Sequence, residues 1–546
     1  MTYPFPLCAE RAVAARLLAG NVRVVTVYDI VVVGAGSAGC VLAARLSEDP
    51  DTSVLLLEAG PPADVMEVRL PAAFYQLFGT ERDWDLHTEP EPVLAGRRLA
   101  WPRGKMLGGS SSMNAMIYIR GAAADYDSWG VPGWTWADLL PYFLRAEDNS
   151  RGASAFHACG GPLRVEDLRR LHPLSRAFLD SAEAAGFPAN PDFNGAGQDG
   201  FGRYQVNQRG GRRWSAADGY LRPALRRPNL TVLTDAPATR VLLDRGRATG
   251  VAYSRAGVAE VARAGREVVL AAGAIHSAQL LLLSGIGPAG QLREHGIDVV
   301  ADLPVGENLQ DHPCLPLSWF TPGVADLRDA ETPVNVLRVL AGLRGPLSSN
   351  VAETGGFLRT VPGPAPDLQL LALPAVVADQ GRAVLAAGVT IAPTVVHVHS
   401  RGRLTLRSAD PRWRPRIEAG YYTDERDLDA MLAGARVARE IAGTGPLARL
   451  VGAPYGPAAD ADLRRAVRTG TQTLYHPVGT CAMGPVLDPE LRVHGTDGLR
   501  VVDASVMPRV PRGNTNAPTN AIAERAADLL RGRARQPQPA VTGAGP

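Results

Sequence analysis

The chain has 546 residues, 46% of them hydrophobic and 21% charged, and a formal net charge of +2. A chain this long holds two or more domains with ample core. Its near-zero net charge gives no footing for nucleic acid or an anionic membrane surface as a partner. Lys105 is the only lysine among the 57 basic residues, so arginine carries nearly all positive charge. Cys8, Cys40, Cys159, Cys314 and Cys481 are scattered, odd in number and without metal-ligand spacing. That pattern predicts buried free thiols and no metal site.

Residues 1–26 carry arginines and an Ala/Leu-rich patch but no apolar core of a secretion leader, and are expected to form an N-terminal extension. No stretch approaches the roughly 20 apolar residues of a membrane span. A cytoplasmic location is the expectation. The dominant unit follows at residues 28–60. Ile30, Val31, Val32 and Val33 form a β-branched run suited to a strand buried on both faces. Next come the turn Gly34-Ala35-Gly36-Ser37-Ala38-Gly39, a helix expected over 40–48, and a second buried strand, Val54–Leu57, which delivers Glu58 and Ala59. Glycines here permit a tight turn, close approach of a pyrophosphate and close helix–strand packing. The helix N-terminus attracts phosphate charge, and an acid about 20 residues on can take ribose hydroxyls. The unit predicts a dinucleotide site without deciding between NAD and FAD.

Residues 61–91 read as loops and short helices. The Gly/Ser-dense segment 101–114 lets backbone approach a flat ligand closely, and a helix is expected to run through Met116 and Ile117. Strands are expected at Leu230–Leu233, 240–243 and 267–270, then a core helix at 277–283. Between about 311 and 472, segments 389–398, 403–407 and 416–420 read as antiparallel strands exposed on one face. A helix at 424–442, acids early and arginines late, matches its dipole. The chain returns through His476 and a strand at 499–502 carrying Asp503, and closes with a helix at 520–530.

Several long segments stand out in order: RGKMLGGSSSMNAMIYIR at 103–120, GAIHSAQLLLLSGIG at 273–287, LPVGENLQDH at 303–312, YHPVGTCAMG at 475–484, LRVVDASVMP at 499–508 and NTNAPTNAIAE at 514–524. Together they resemble the glucose–methanol–choline (GMC) oxidoreductases, choline-dehydrogenase-like in overall character. The resemblance implies FAD, and an α/β fold: a Rossmann-like FAD-binding domain with a second α+β substrate domain built on an antiparallel sheet. It assigns 27–160, 211–315 and 472–532 to the first, 161–210 and 316–471 to the second, and leaves 533–546 as a disordered tail.

Carried over by resemblance, Gly34, Gly36, Ser37, Ala38 and Gly39 hold the pyrophosphate, Glu58 and Ala59 the adenosine ribose, and Val241 meets the adenine. Gly108, Asn114, Ala115, Met116 and Ile117 line the isoalloxazine. Tyr475, Asp503, Ala504, Asn516 and Thr519 close over it. His476 is the implied base, with Asn516 as partner; an imidazole titrates near working pH, whereas an amide only orients. His312 is expected to bond neighbouring backbone. Met113 stands where members with a covalent flavin carry His, so FAD is expected to be non-covalent. The implied reaction takes a primary alcohol to an aldehyde by hydride transfer to flavin N5, with oxygen or a separate electron acceptor completing the cycle. The alternative is a redox-neutral, hydroxynitrile-lyase-like enzyme. Photodecarboxylases of the same family lack the catalytic His. Choline would call for a carboxylate and aromatic rings, with Trp319, Phe320 and Phe357 as candidates.

Overall fold

The structure, a computed structural model, describes residues 23–324, 332–341 and 345–533. Residues 1–22, the tail from 534 and Cys8 lie outside it. The first strand, Arg23–Val33, starts earlier than expected and takes in residues 23–26 of the supposed extension. It pairs in parallel with Val54–Leu57 on one side and with Val258–Leu270 on the other. Leu230–Leu233 adds beyond Val54–Leu57, and Leu499–Val501 pairs with the end of Val258–Leu270, all in parallel. Arg247–Arg255 and Ala238–Asp244 extend the sheet antiparallel, giving seven strands. Ile30, Val31, Val32 and Val33 are at most 4% exposed. Burial of each such side chain stabilises the sheet by about 1.5–3 kcal/mol.

The turn helix is Ser37–Leu46, and the closing helix, Asn516–Leu530, packs on it. Both begin earlier than periodicity suggested, as does Gly273–Leu283, because their first turns carry small or polar residues without an apolar stripe. A Cβ on Gly39 would sit 1.8 Å from the carbonyl oxygen of Gly34, so only glycine lets the helix press against the turn.

A second, eight-stranded antiparallel sheet runs Pro454–Tyr455, Leu317–Phe320, Gly388–Val395, Leu368–Leu373, Thr354–Leu358 and Gly200–Arg203, with Pro313–Cys314 and Gln472–Thr473 attached. Its strands were expected to be exposed on one face. Instead all eight residues of Gly388–Val395 are buried. Helix Glu425–Ala442 covers one face so closely that a Cβ on Gly434 would lie 2.7 Å from Leu368 Cδ2. The other face looks into the cavity described below. Arg403–Thr405 and Arg416–Glu418 form a separate two-stranded ribbon. Cys40, Cys314 and Cys481 are buried and free, but Cys159 is exposed, against expectation.

Candidate active site

One cavity of about 600 Å³ runs from the glycine turn to His476. At its near end Gly36 is the N-cap of Ser37–Leu46 and no side chain caps the helix, so the first-turn N–H groups face a ligand space. Gly34 has φ +97°. The Gly/Ser-dense segment meets this turn backbone to backbone: the Gly108 N–H donates to the Ala35 carbonyl at 2.7 Å, and a Cβ on Gly109 would stand 2.7 Å from Gly36 Cα. Glu58 is 5% exposed; one carboxylate oxygen accepts the Ala35 N–H at 2.8 Å and the other the Gly60 N–H at 2.9 Å. Burial pushes its carboxyl up to about 7, against the pull of those amides.

The middle of the cavity is bordered by Asn114, Ala115, Met116 and Ile117, which do not form the expected helix. A single 3-10 turn, Gly109–Ser112, is followed by extended chain. Met116 takes φ +59°, held by its N–H bond to Asn114 Oδ1, which also accepts from Arg213. That left-handed residue stops a helix from propagating. Met113 is buried in an apolar cluster with Val68, Leu77 and Met106.

His476 is 8% exposed, and its backbone N–H and both ring nitrogens have polar neighbours. Its N–H donates to Asp311 Oδ1 at 2.6 Å, Nδ1 lies 3.0 Å from His312 Nδ1, and Nε2 lies 3.2 Å from Asn514 Nδ2. Burial, reinforced by His312 and Arg103, holds the imidazole well below its usual pKa and therefore neutral. Asp311 in turn accepts from Thr473 Oγ1 at 2.6 Å and from the Tyr421 hydroxyl. Tyr475, at φ +68°, donates its N–H to Thr473 Oγ1, and its carbonyl accepts from Arg103 at 2.6 Å. Gln310 and Val478 exchange two backbone bonds, so the 303–312 segment braces the 475–484 segment.

Expectation and geometry part at several residues. The amide beside the imidazole is Asn514; Asn516 lines the cavity but accepts from Ser37 Oγ at 2.8 Å. His312 does not serve only backbone but meets His476. Val241 does not border the cavity: its N–H donates to Ser284 Oγ at 2.9 Å, and Ala236, Pro237, Ala238 and Thr239 border that end instead. Gly34, Gly36, Ser37, Ala38, Glu58, Ala59, Tyr475, Asp503, Ala504 and Thr519 do line it; Gly39 and Gly108 act behind it through packing. Asp503 accepts from the Gly273 N–H and from Ser277 Oγ at 2.6 Å, tying the last strand to the core helix. Sequence reasoning did not find the stack of Trp84 on His276, ring centroids 4.0 Å apart, with Lys105 Nζ 5.1 Å from the Trp84 ring.

A bare glycine turn, an uncapped helix end and a long cavity ending at a neutral imidazole fit a flavin dinucleotide. Family models described as GMC oxidoreductase match residues 28–314 and 398–523. An alcohol dehydrogenase [acceptor] of Pseudomonas putida is 42% identical over 92% of this chain and 95% of its own. The mitochondrial choline dehydrogenase of Homo sapiens is 43% identical over 93% of this chain and 90% of its own. Among solved structures, an Aspergillus oryzae formate oxidase studied for its FAD modification superposes with a TM-score of 0.86 at 26% identity, covering 93% and 99% of the two chains. The chain thus belongs to the GMC oxidoreductases and is an FAD-dependent oxidoreductase of that family.

Proposed function

We propose that this enzyme oxidises a primary alcohol to the aldehyde, with His476 as the base that takes the hydroxyl proton. The observation that carries this is the neutral, buried imidazole at the far end of the cavity, fixed by Asp311, His312 and Asn514. Nε2 is the ring nitrogen on the Asn514 side, and with Nδ1 engaged by His312 it is the one left to accept a proton. Asn514 or Asn516 orients the hydroxyl. The Ser37–Leu46 N-terminus and Glu58 would hold the dinucleotide phosphates and ribose, Asn114–Ile117 and Asp503–Ala504 its ring system, and Met113 offers no nucleophile for a covalent link. Bound FAD supplies the hydride acceptor.

Anaerobic addition of a panel of primary alcohols to the holoenzyme is expected to bleach the flavin absorbance. A panel that leaves the flavin oxidised, with turnover of a cyanohydrin, would replace this function with the redox-neutral one. Repeating the panel in air with peroxide detection separates oxygen from another electron acceptor. Asn514→Ala and Asn516→Ala, compared in the same assay, identify the orienting amide by the larger fall in reduction rate.

A further inference from the structure

We propose that the alcohol taken by this chain is uncharged and apolar, that its hydrocarbon part lies on the inner face of the antiparallel sheet, and that quaternary-ammonium alcohols are excluded. The proposal rests on the alcohol oxidation proposed above. Strand register builds the wall. Alternate side chains of a strand share a face. Leu371 and Leu373 stand opposite Ala392 and Thr390 on the neighbouring strand, and all four line the cavity. Leu371 and Ala392 pack in one apolar cluster with Ile117, Cys314 and Ala352, joined by Leu474, two residues before His476. Leu474 and His476 both line the cavity, so the apolar wall and the imidazole share one space. Leu373 also packs on a second apolar cluster, with Phe74 and Val351, and so carries the wall outward.

The polar atoms of this wall are already engaged or neutral. Thr390 Oγ1 donates to the Ala375 carbonyl at 2.6 Å and accepts the Val377 N–H at 3.3 Å. Burial pushes the Cys314 thiol up to about 12, keeping it protonated. Among the described residues the carboxylates that line the cavity are Glu58 and Asp503, and each is bonded by backbone N–H groups. The charged groups beside His476 are Arg103, bonded to the Tyr475 carbonyl, and Asp311, which does not line the cavity and is taken up by the His476 N–H, Thr473 and Tyr421. Trp319, Phe320 and Phe357, the rings expected to cage an ammonium, do not line the cavity. Phe74, Tyr75, Phe78, Trp84, Trp413 and Tyr475 do line it; Phe74 and Phe78 pack edge-on to one another, and Trp84 is already stacked on His276 with Lys105 over its ring. A fixed ammonium here would surrender its hydration without a counter-charge, whereas an alkyl or aryl chain gains by leaving water.

The test is anaerobic flavin reduction of the holoenzyme by n-octanol, benzyl alcohol and choline, with toluene and tetramethylammonium as non-oxidisable probes of binding read by flavin-absorbance shifts. Octanol and benzyl alcohol are expected to reduce the flavin at least about tenfold more efficiently than choline, and toluene, not tetramethylammonium, to shift the spectrum. Leu373→Asn is expected to raise the half-saturating concentration of benzyl alcohol about tenfold with little change in limiting rate, and Leu373→Met to restore it. Choline outperforming both apolar alcohols, or tetramethylammonium binding where toluene does not, would overturn the proposal. If no alcohol reduces the flavin, the alcohol-oxidation function fails. The two probes still decide the wall: a toluene shift upholds it, and none discards it.

Discussion

His312 Nδ1 lies 3.0 Å from His476 Nδ1, with the two rings 89° apart. Burial holds both imidazoles neutral, His312 at about 3 and His476 well below its usual value, so one nitrogen of the pair carries a hydrogen and the other a lone pair. With His476 donating, its Nε2 keeps the lone pair and faces Asn514, the arrangement a base requires.

Replacing His312 with Phe removes that partner while filling the space. The expected result is retained FAD and a flavin-reduction rate lowered about tenfold or more, with a changed pH profile because His476 can then adopt either tautomer. His312→Asn, which can still accept at that position, should recover part of the rate. An unchanged rate and profile in His312→Phe would show that the contact is only structural.

His476→Ala should bind FAD normally and lose about 10²–10⁴-fold in flavin reduction, the usual worth of a positioned acid–base group. Because the wild-type imidazole is already neutral above its ordinary pKa range, the reduction rate should be level from about pH 6.5 to 9. The acid limb should lie below that window. Stopped-flow reduction across pH checks both points, and a limb centred above 7 would contradict the burial of the base.

Gly36 and Gly39 separate ligand fit from chain fit. A Cβ on Gly36, at φ −74°, has the Ala271 carbonyl oxygen 3.9 Å away as its nearest neighbour, so Gly36→Ala should fold with an unchanged apoprotein Tm but bind FAD more weakly. A Cβ on Gly39 would meet the Gly34 carbonyl oxygen at 1.8 Å. Gly39→Ala should therefore destabilise the apoprotein itself by roughly 3 kcal/mol. Apoprotein melting and FAD titration of the two variants give the comparison.

His157 is pinned between Asp192, with Nε2 2.8 Å from Oδ2, and Glu147, with Nδ1 3.1 Å from Oε1. These partners raise its pKa to about 9. The unfolded chain releases this proton near pH 6.5, so the stabilisation is fully present below that value and is lost as pH rises through about 9. The Tm difference between wild type and His157→Gln should therefore narrow from pH 6 to pH 10. A constant difference would assign the residue's effect to packing alone.

The nucleotide half was legible because a parallel strand buried on both faces leaves a continuous apolar run, as in Ile30–Val33, and because a glycine turn must stand immediately after it. The second sheet was harder. Gly388–Val395 reads as half-exposed only if nothing covers its outer face, and helix Glu425–Ala442, which does, lies 30 residues further on. The site showed the same divide. His476, Asp311, His312 and Asn514 all sit in segments that stood out, yet the contacts joining 476 to 312 and to 514 are set by tertiary folding and leave no local periodicity. Nothing near Trp84 marked its stack on His276.

The Ser37–Leu46 helix is braced by Asn516–Leu530: Arg45 is paired with the fully buried Glu524 at 2.8 Å, and Ser37 is bonded to Asn516. During synthesis the glycine turn leaves the ribosome long before its last supporting helix exists. Cofactor capture that depends on this support is then expected to follow synthesis of residues 516–530, after an unloaded stage.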